Sequence, residues 1–314
     1  SLCGHDAEPQ GHAGFKKLKR TMDFRTPIDI PQSPWTIAPC ERMLFVGSCF
    51  ADNMGQRFSR ERFRTVVNPY GVMYNPVSIR HTVERLLHEE RMPFTEGETG
   101  TCVFTLGTNH VYVLKATGEI VDNCQKRPQR LFDEQVLTVE QCATHLTQTM
   151  KLIHSRYPRV RFIFTVSPIR YRKYGYHGSQ LSKATLLLAI EKMQQELSAL
   201  APAYFPSYEI VLDELRDYRF YGEDMLHPTP QAIDYIFERF GEAYFSPQTQ
   251  TFLREWRPIR EALAHRPFHP ESEEHARFIS KTLEKARALQ VRFPEMGSVE
   301  RLIPPVGAQP QKGE

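Results

Sequence analysis

The chain has no apolar run approaching the ~20 residues that a membrane helix needs. Stable membrane insertion is therefore not expected. Charge of one sign is also missing: 40 Lys and Arg against 37 Asp and Glu leave +3. That balance implies neither nucleic acid nor an anionic membrane surface as a partner. Cysteine is sparse and scattered, with six residues at 3, 40, 49, 102, 124 and 142 and no C-x-x-C pair. This argues against a zinc site or a disulfide framework and points to a reducing, cytoplasmic compartment. There is no P-loop and no G-x-G-x-x-G, and His88-Glu89-Glu90 lacks the second histidine of a zinc-protease motif. No cofactor or metal is expected.

What remains is a globular composition, 40% hydrophobic and 25% charged over 314 residues, enough for one large or two modest domains. Residues 1–21 form a polar leader with a basic run and no apolar stretch behind it, unlike a secretory signal. We expect it to be disordered, with Met22 as the natural start. The main domain is expected over 22–248, a helical extension of the same domain over 249–296, and a disordered Pro-, Gly- and Gln-rich tail over 297–314.

Short apolar runs alternate with helical periodicity. Met43, Leu44, Phe45 and Val46 run into Gly47-Ser48 as a buried strand ending in a tight turn, with a helix behind it. Segments 63–67, 102–106, 162–166 and 208–212 read as four more strands. Pro76 starts a helix with Ile79, Val83, Leu86 and Leu87 on one face. Residues 111–121, with Thr117-Gly118 in the middle, read as a hairpin, and Thr138-Val139-Glu140-Gln141 as a capping box. Lys183 opens a strong helix and reads as a surface or loop-anchoring charge, with an anion-contacting role as the alternative. Thr229-Pro230 begins a helix burying Ala232, Ile233, Ile236, Phe237 and Phe240. In the extension Leu283, Ala286, Leu289 and Val291 are the apolar positions. Five strand–helix repeats predict an α/β fold, a doubly wound, mostly parallel five-stranded sheet covered on both faces. Ligands of such sheets sit beyond the C-terminal strand ends, where Ser48, Gly71, Asn109, Ser167, Asp224 and His227 all fall.

Asp224 lies three residues before His227 in a loop that opens a helix. Its carboxylate can accept from the imidazole Nδ1–H and leave Nε2 for a serine hydroxyl, which is a poor nucleophile until a base takes its proton. The oxyanion that develops needs donors, which the Ser48 and Gly71 N–H groups and the Asn109 side chain can supply. Arg57, Arg60, Arg62 and Arg64 read as a solvated face, and Tyr218, Phe220 and Tyr221 as core packing.

Gly47-Ser48-Cys49-Phe50-Ala51 is the name-giving motif of the GSCFA family, of the SGNH/GDSL hydrolase-like superfamily, and the chain resembles that family from about residue 22 to 293. The likeness includes Asn68-Pro69-Tyr70-Gly71, Thr105-Leu106-Gly107-Thr108, Thr165-Val166-Ser167-Pro168, Asp224 to Pro228 and His265-Arg266-Pro267. It implies a three-layer α/β/α sandwich, with Ser48 as nucleophile, His227 as base and Asp224 orienting it. The oxyanion glycine maps to Gly71, with Asn75 in the same loop as an alternative, and the G-x-N block to Gly107-Thr108-Asn109. Three features depart from the family: a shortened 88–104 segment, Gln125 after Asn-Cys, and Tyr171 where histidine is usual. The expected activity is a serine esterase cleaving a short acyl ester, such as acetyl, on a carbohydrate or lipid. The alternatives are a catalytically silent binding or regulatory protein and an O-acyltransferase. Nothing in the sequence sets the oligomeric state.

Overall fold

Leu44 and Val46 point to one side of the first strand, Met43 and Phe45 to the other, and all four are fully buried. A strand apolar on both faces belongs in the middle of a covered parallel sheet. The computed structural model describes residues 24–299, apart from 123, 125, 126, 266 and 270. Both the 1–21 leader and Gln125 therefore lie outside the described residues, as does the tail beyond 299.

Strand β1 (Arg42–Gly47) lies between β2 (Arg64–Val67) and β3 (Gly100–Leu106), all parallel, with Phe45 in register with Val67 and Val103. After α1 (Cys49–Arg60) and β2, the chain enters α2 (Pro76–His88), capped by Asn75, and crosses to the other side of β1 to form β3. The crevice between the ends of β1 and β3 is thus the topological switch point, where such sheets bind ligands. A separate three-stranded antiparallel sheet follows, from β4 (His110–Leu114), β5 (Ile120–Val121) and β6 (Phe132–Val136). The expected 111–121 hairpin is its β4–β5 pair.

Helix α3 (Val139–Arg156) begins with the capping box that Thr138 and Gln141 form. Strand β7 (Val160–Val166) pairs with β3, and α4 (Gly175–Glu196) leads to the edge strand β8 (Ala203–Tyr204), giving the order β2-β1-β3-β7-β8. Helices α2, α3 and α4 cover one face, while α1 and the later α6 (Pro230–Tyr244) cover the other, so the sandwich has two cores.

The fifth strand is not where the apolar run 208–212 suggests. That segment is helical: α5 (Ser207–Glu209) continues into a π-turn, Ile210–Glu214. Ile210, Val211, Glu214 and Leu215 are buried, while Leu212 is exposed, a helical spacing rather than an alternating one. The true edge strand is short because Pro206, which has no N–H for the ladder, follows Phe205 at once.

Helix α6 (Pro230–Tyr244) is capped by Thr229 and buries the predicted positions. Helices α7 (Pro247–Ala264) and α8 (Glu273–Arg292) form the extension. They enclose a third core with Phe252, Trp256, Leu283, Ala286 and Leu289 beside Cys40, at the N-terminal edge of the sheet. Val291 is not part of it and stands exposed. The arginines near α1 are not all a solvated face: Arg57 pairs with Glu61 and Asp234, and Arg62 donates to the Met296 carbonyl. Among the described residues no helix is long and apolar enough to cross a membrane.

Candidate active site

Ser48 is the N-cap of α1, and its Oγ accepts from the Phe50 N–H at 3.2 Å. Two neighbours fix the turn that presents it. Gly47 has φ +151°, and a Cβ there would stand 2.1 Å from the Thr105 carbonyl oxygen, so only glycine fits. Asn68 accepts from the Gly47 N–H through Oδ1 at 2.8 Å and donates from Nδ2 to Asp52 Oδ1 at 2.7 Å. Ser48 itself is fully buried, with Oγ 3.2 Å from Thr105 Oγ1 and its N–H shared between the Thr105 carbonyl and hydroxyl oxygens, both at 3.1 Å.

Asp224 and His227 form the anticipated dyad, with Oδ2 2.5 Å from Nδ1. The other carboxylate oxygen accepts the backbone N–H groups of Leu226 at 2.9 Å and His227 at 3.0 Å. The His227 backbone N–H first, and then its imidazole, hold the Asp224 carboxyl down at about 2, below the usual carboxylate range. The dyad loop is tied to the sheet through Arg170, four residues past β7, whose N–H donates to the Leu226 carbonyl at 3.2 Å. Ser48 and the dyad therefore share the C-terminal rim, but among the described residues no hydrogen bond links them. Ser48 is sealed, whereas the imidazole is 45% exposed.

The expected oxyanion donors fare differently. The Gly71 N–H closes a turn onto the Asn68 carbonyl at 2.8 Å. Asn109 is buried and turned away, its Nδ2 donating to the Leu137 carbonyl at 2.8 Å and its N–H to Ser182 Oγ at 3.1 Å. Asn75 caps α2 by accepting from the Ser78 N–H at 3.0 Å. Its segment spans the crevice: the Met73 N–H donates to the Gly47 carbonyl, and the Tyr74 carbonyl accepts from Gly107 and Thr108. Asn75 thus stands closer to the switch point in connectivity than Gly71 does.

Tyr171, in place of the expected histidine, lies against Gly107, where an added Cβ would meet its hydroxyl at 2.3 Å. Among the described residues that buried hydroxyl has no hydrogen-bond partner, and burial pushes it well above the usual phenol range. Cys49, half-buried, has its Sγ 3.9 Å from the Tyr74 hydroxyl.

Lys183 was expected at the surface or anchoring a loop. It is an anchor, but a buried one in the middle of α4: Nζ donates to the Gly107 and Ser167 carbonyls, each at 2.7 Å. It ties the ends of β3 and β7 together, and burial lowers its ammonium to about 7. Tyr218 is also misread by the sequence, being 64% exposed rather than packed in the core. Asn68 was visible only as part of a Pro- and Gly-rich loop, and no residue pattern marks it as the clamp on the serine turn.

Similar solved structures include a member of the lipolytic protein G-D-S-L family from Veillonella parvula, 12% identical over 65% of this chain and 98% of that one, TM-score 0.41. Others are a GDSL-like lipase from Bacteroides thetaiotaomicron (12%, 68% and 88%, 0.39) and a carbohydrate esterase family 3 protein from Talaromyces cellulolyticus (11%, 68% and 99%, 0.39). Comparison with curated protein sequences finds no match. The profile of the GSCFA domain protein, C-terminal domain, matches residues 256–305. The GSCFA family profile matches residues 42–99 and 93–240, well over half of the sequence, and the chain belongs to the GSCFA family.

Proposed function

We propose that the protein is a serine ester hydrolase for a short acyl group, with Ser48, His227 and Asp224 as its triad. The observation that carries this is the dyad itself: a carboxylate fixed by two backbone donors and bonded to Nδ1, on the same rim as a helix-capping serine. In this reading the Ser48 hydroxyl exchanges its Thr105 hydrogen bond for one to His227 Nε2. Its oxygen attacks the ester carbonyl while the imidazole takes the proton. The imidazolium then protonates the leaving alkoxide, and water repeats the sequence on the acyl-serine. With Gly71 and Asn109 committed elsewhere, and the Ser48 N–H already bonded to Thr105, Asn75 Nδ2 is the better-placed donor for the oxyanion.

The test uses a short-chain chromogenic ester and an organophosphonate. Ser48→Ala should abolish both hydrolysis and labelling. Cys49→Ala should keep at least roughly a tenth of the activity, a loss of up to ~1.4 kcal/mol in barrier. Mass spectrometry of the labelled peptide decides the nucleophile, since an adduct on Cys49 that survives Ser48→Ala would overturn the assignment. A second reading, binding of an ester ligand without turnover, is favoured by the sealed Ser48 and its Thr105 contacts. Inertness of the native protein to both reagents supports that reading.

A further inference from the structure

We infer that a groove of about 410 Å³ beside the Asp224–His227 loop is a subsite for an uncharged sugar ring, the alcohol portion of the ester; as a leaving-group site it rests on the esterase reading above. Its walls are bonded directly to the dyad loop. Arg170 lines the groove and donates from Nη1 to the Met225 carbonyl at 3.0 Å. Tyr221, also lining it, bridges to Pro228, and the next residue, Gly222, donates its N–H to the His227 carbonyl at 2.8 Å. The groove therefore adjoins the backbone of the dyad loop.

The lining selects among ligand classes. Tyr218 is 64% exposed, with its ring centroid 6.3 Å from that of Tyr221. Arg170 stands 5.8 Å from the Tyr218 ring centroid, and Tyr218 still keeps most of its surface open to water. The flat C–H face of a pyranose stacks on such a ring. Planar hydrogen-bonding groups stand around it: Gln180, Asp213, Arg216 and Asp217. Gln180 accepts from the Tyr208 hydroxyl through Oε1, which leaves its amide donors for a ligand hydroxyl. The charges of Arg170 and Arg216 are matched by those of Asp213 and Asp217, so the groove offers an anionic ligand no net attraction. Its aliphatic lining is only Val211 and Leu212, too little to hold a lipid chain. Aromatic faces ringed by balanced polar groups fit a neutral carbohydrate.

Binding, not turnover, tests this. Xylotetraose, cellotetraose and chitotetraose are each titrated into the native protein by NMR. At least one should bind saturably. Tyr218→Ala should weaken that binding tenfold or more, and Tyr218→Phe, which keeps the ring, should retain it. Tyr218 is exposed, so the fold should survive, and thermal midpoints check that it does. No saturable binding of any of the three, equal binding by Tyr218→Ala, or binding of a long-chain alcohol instead would each overturn the inference. Sugar binding lost in Tyr218→Ala, in a protein that hydrolyses no ester, keeps the subsite and removes the esterase. Ester hydrolysis without sugar binding does the reverse.

Discussion

Asp52, Asn68 and Gly47 act as a chain of hydrogen bonds that ends at the backbone of the serine turn. Asn68 sits at φ 38°, a conformation that asparagine tolerates better than most residues. Asn68→Ala strands the Gly47 N–H, a buried donor, which should cost about 1–3 kcal/mol. It should also lower turnover by loosening the Ser48 turn, and chemical denaturation beside ester kinetics measures the two effects. At Asp224 the folded carboxyl is held at about 2, below its free value of 3.8. The charged form is thus favoured in the fold. Its contribution is present above about pH 4 and is lost as pH falls through about 2. A carboxyl-carbon NMR titration should find the low midpoint, and a midpoint near 4 would show that the dyad does not hold in solution. Asp224→Asn should cut turnover by roughly three to four orders of magnitude, as losing an orienting carboxylate does.

Strands β1, β3 and β7 were legible because each apolar run is buried on both sides, the half-buried β2 because it is a β-branched run, and each helix between them carries a capping residue or proline at its start. The same signal failed at 208–212, because a short apolar run does not declare its period, and the two-residue β8 is too brief to produce one. The dyad was legible from spacing alone, since Asp and His three apart in one loop can meet without help from the fold. The Asn109 side chain was not, because its direction is set by the Leu137 carbonyl, at the entry to a helix on the far side of β6. Lys183 was expected as a surface charge or loop anchor, but its burial was not legible for a related reason: its acceptors, Gly107 and Ser167, follow two strands that only the sheet brings together. It carries its own prediction. Burial places its folded value near 7, below the ~10.4 of a free lysine. Between those values the unfolded chain binds more protons than the folded one, so this group makes stability rise with pH from about 7 to about 10 and adds no further slope below about 7. Lys183→Met should remove that slope. The readout is the difference between the two proteins' stability-against-pH curves, which cancels the alkaline titration of the buried thiols and phenols. Equal slopes in the two proteins would mean that the lysine titrates normally.

The whole molecule separates the candidate site from the helical extension along the strand direction. Ser48, Lys183 and the dyad loop gather at the C-terminal ends of the strands, while α7 and α8 close the other end. The extension is joined there by more than apolar contact. Trp256 is 2% exposed and donates from Nε1 to the Arg60 carbonyl at 3.0 Å, and Arg260 pairs with Glu61, at the C-terminal end of α1. These ties, and the position of Cys40 inside the third core just before β1, make the extension part of the same folding unit in our reading. Unfolding should then be a single cooperative transition, with far-UV circular dichroism and tryptophan fluorescence changing together. Trp256→Ala should cost about 3–5 kcal/mol, because it removes a large buried ring and leaves a cavity. It should lower the midpoint of that one transition without altering kcat/KM at 25 °C, since Ser48 lies at the opposite end of β1. If, in a Trp35→Phe background that leaves Trp256 as the one tryptophan, the fluorescence transition precedes the circular dichroism transition, or if Trp256→Ala lowers only the first of two steps, the extension is a separate unit that docks on the sheet.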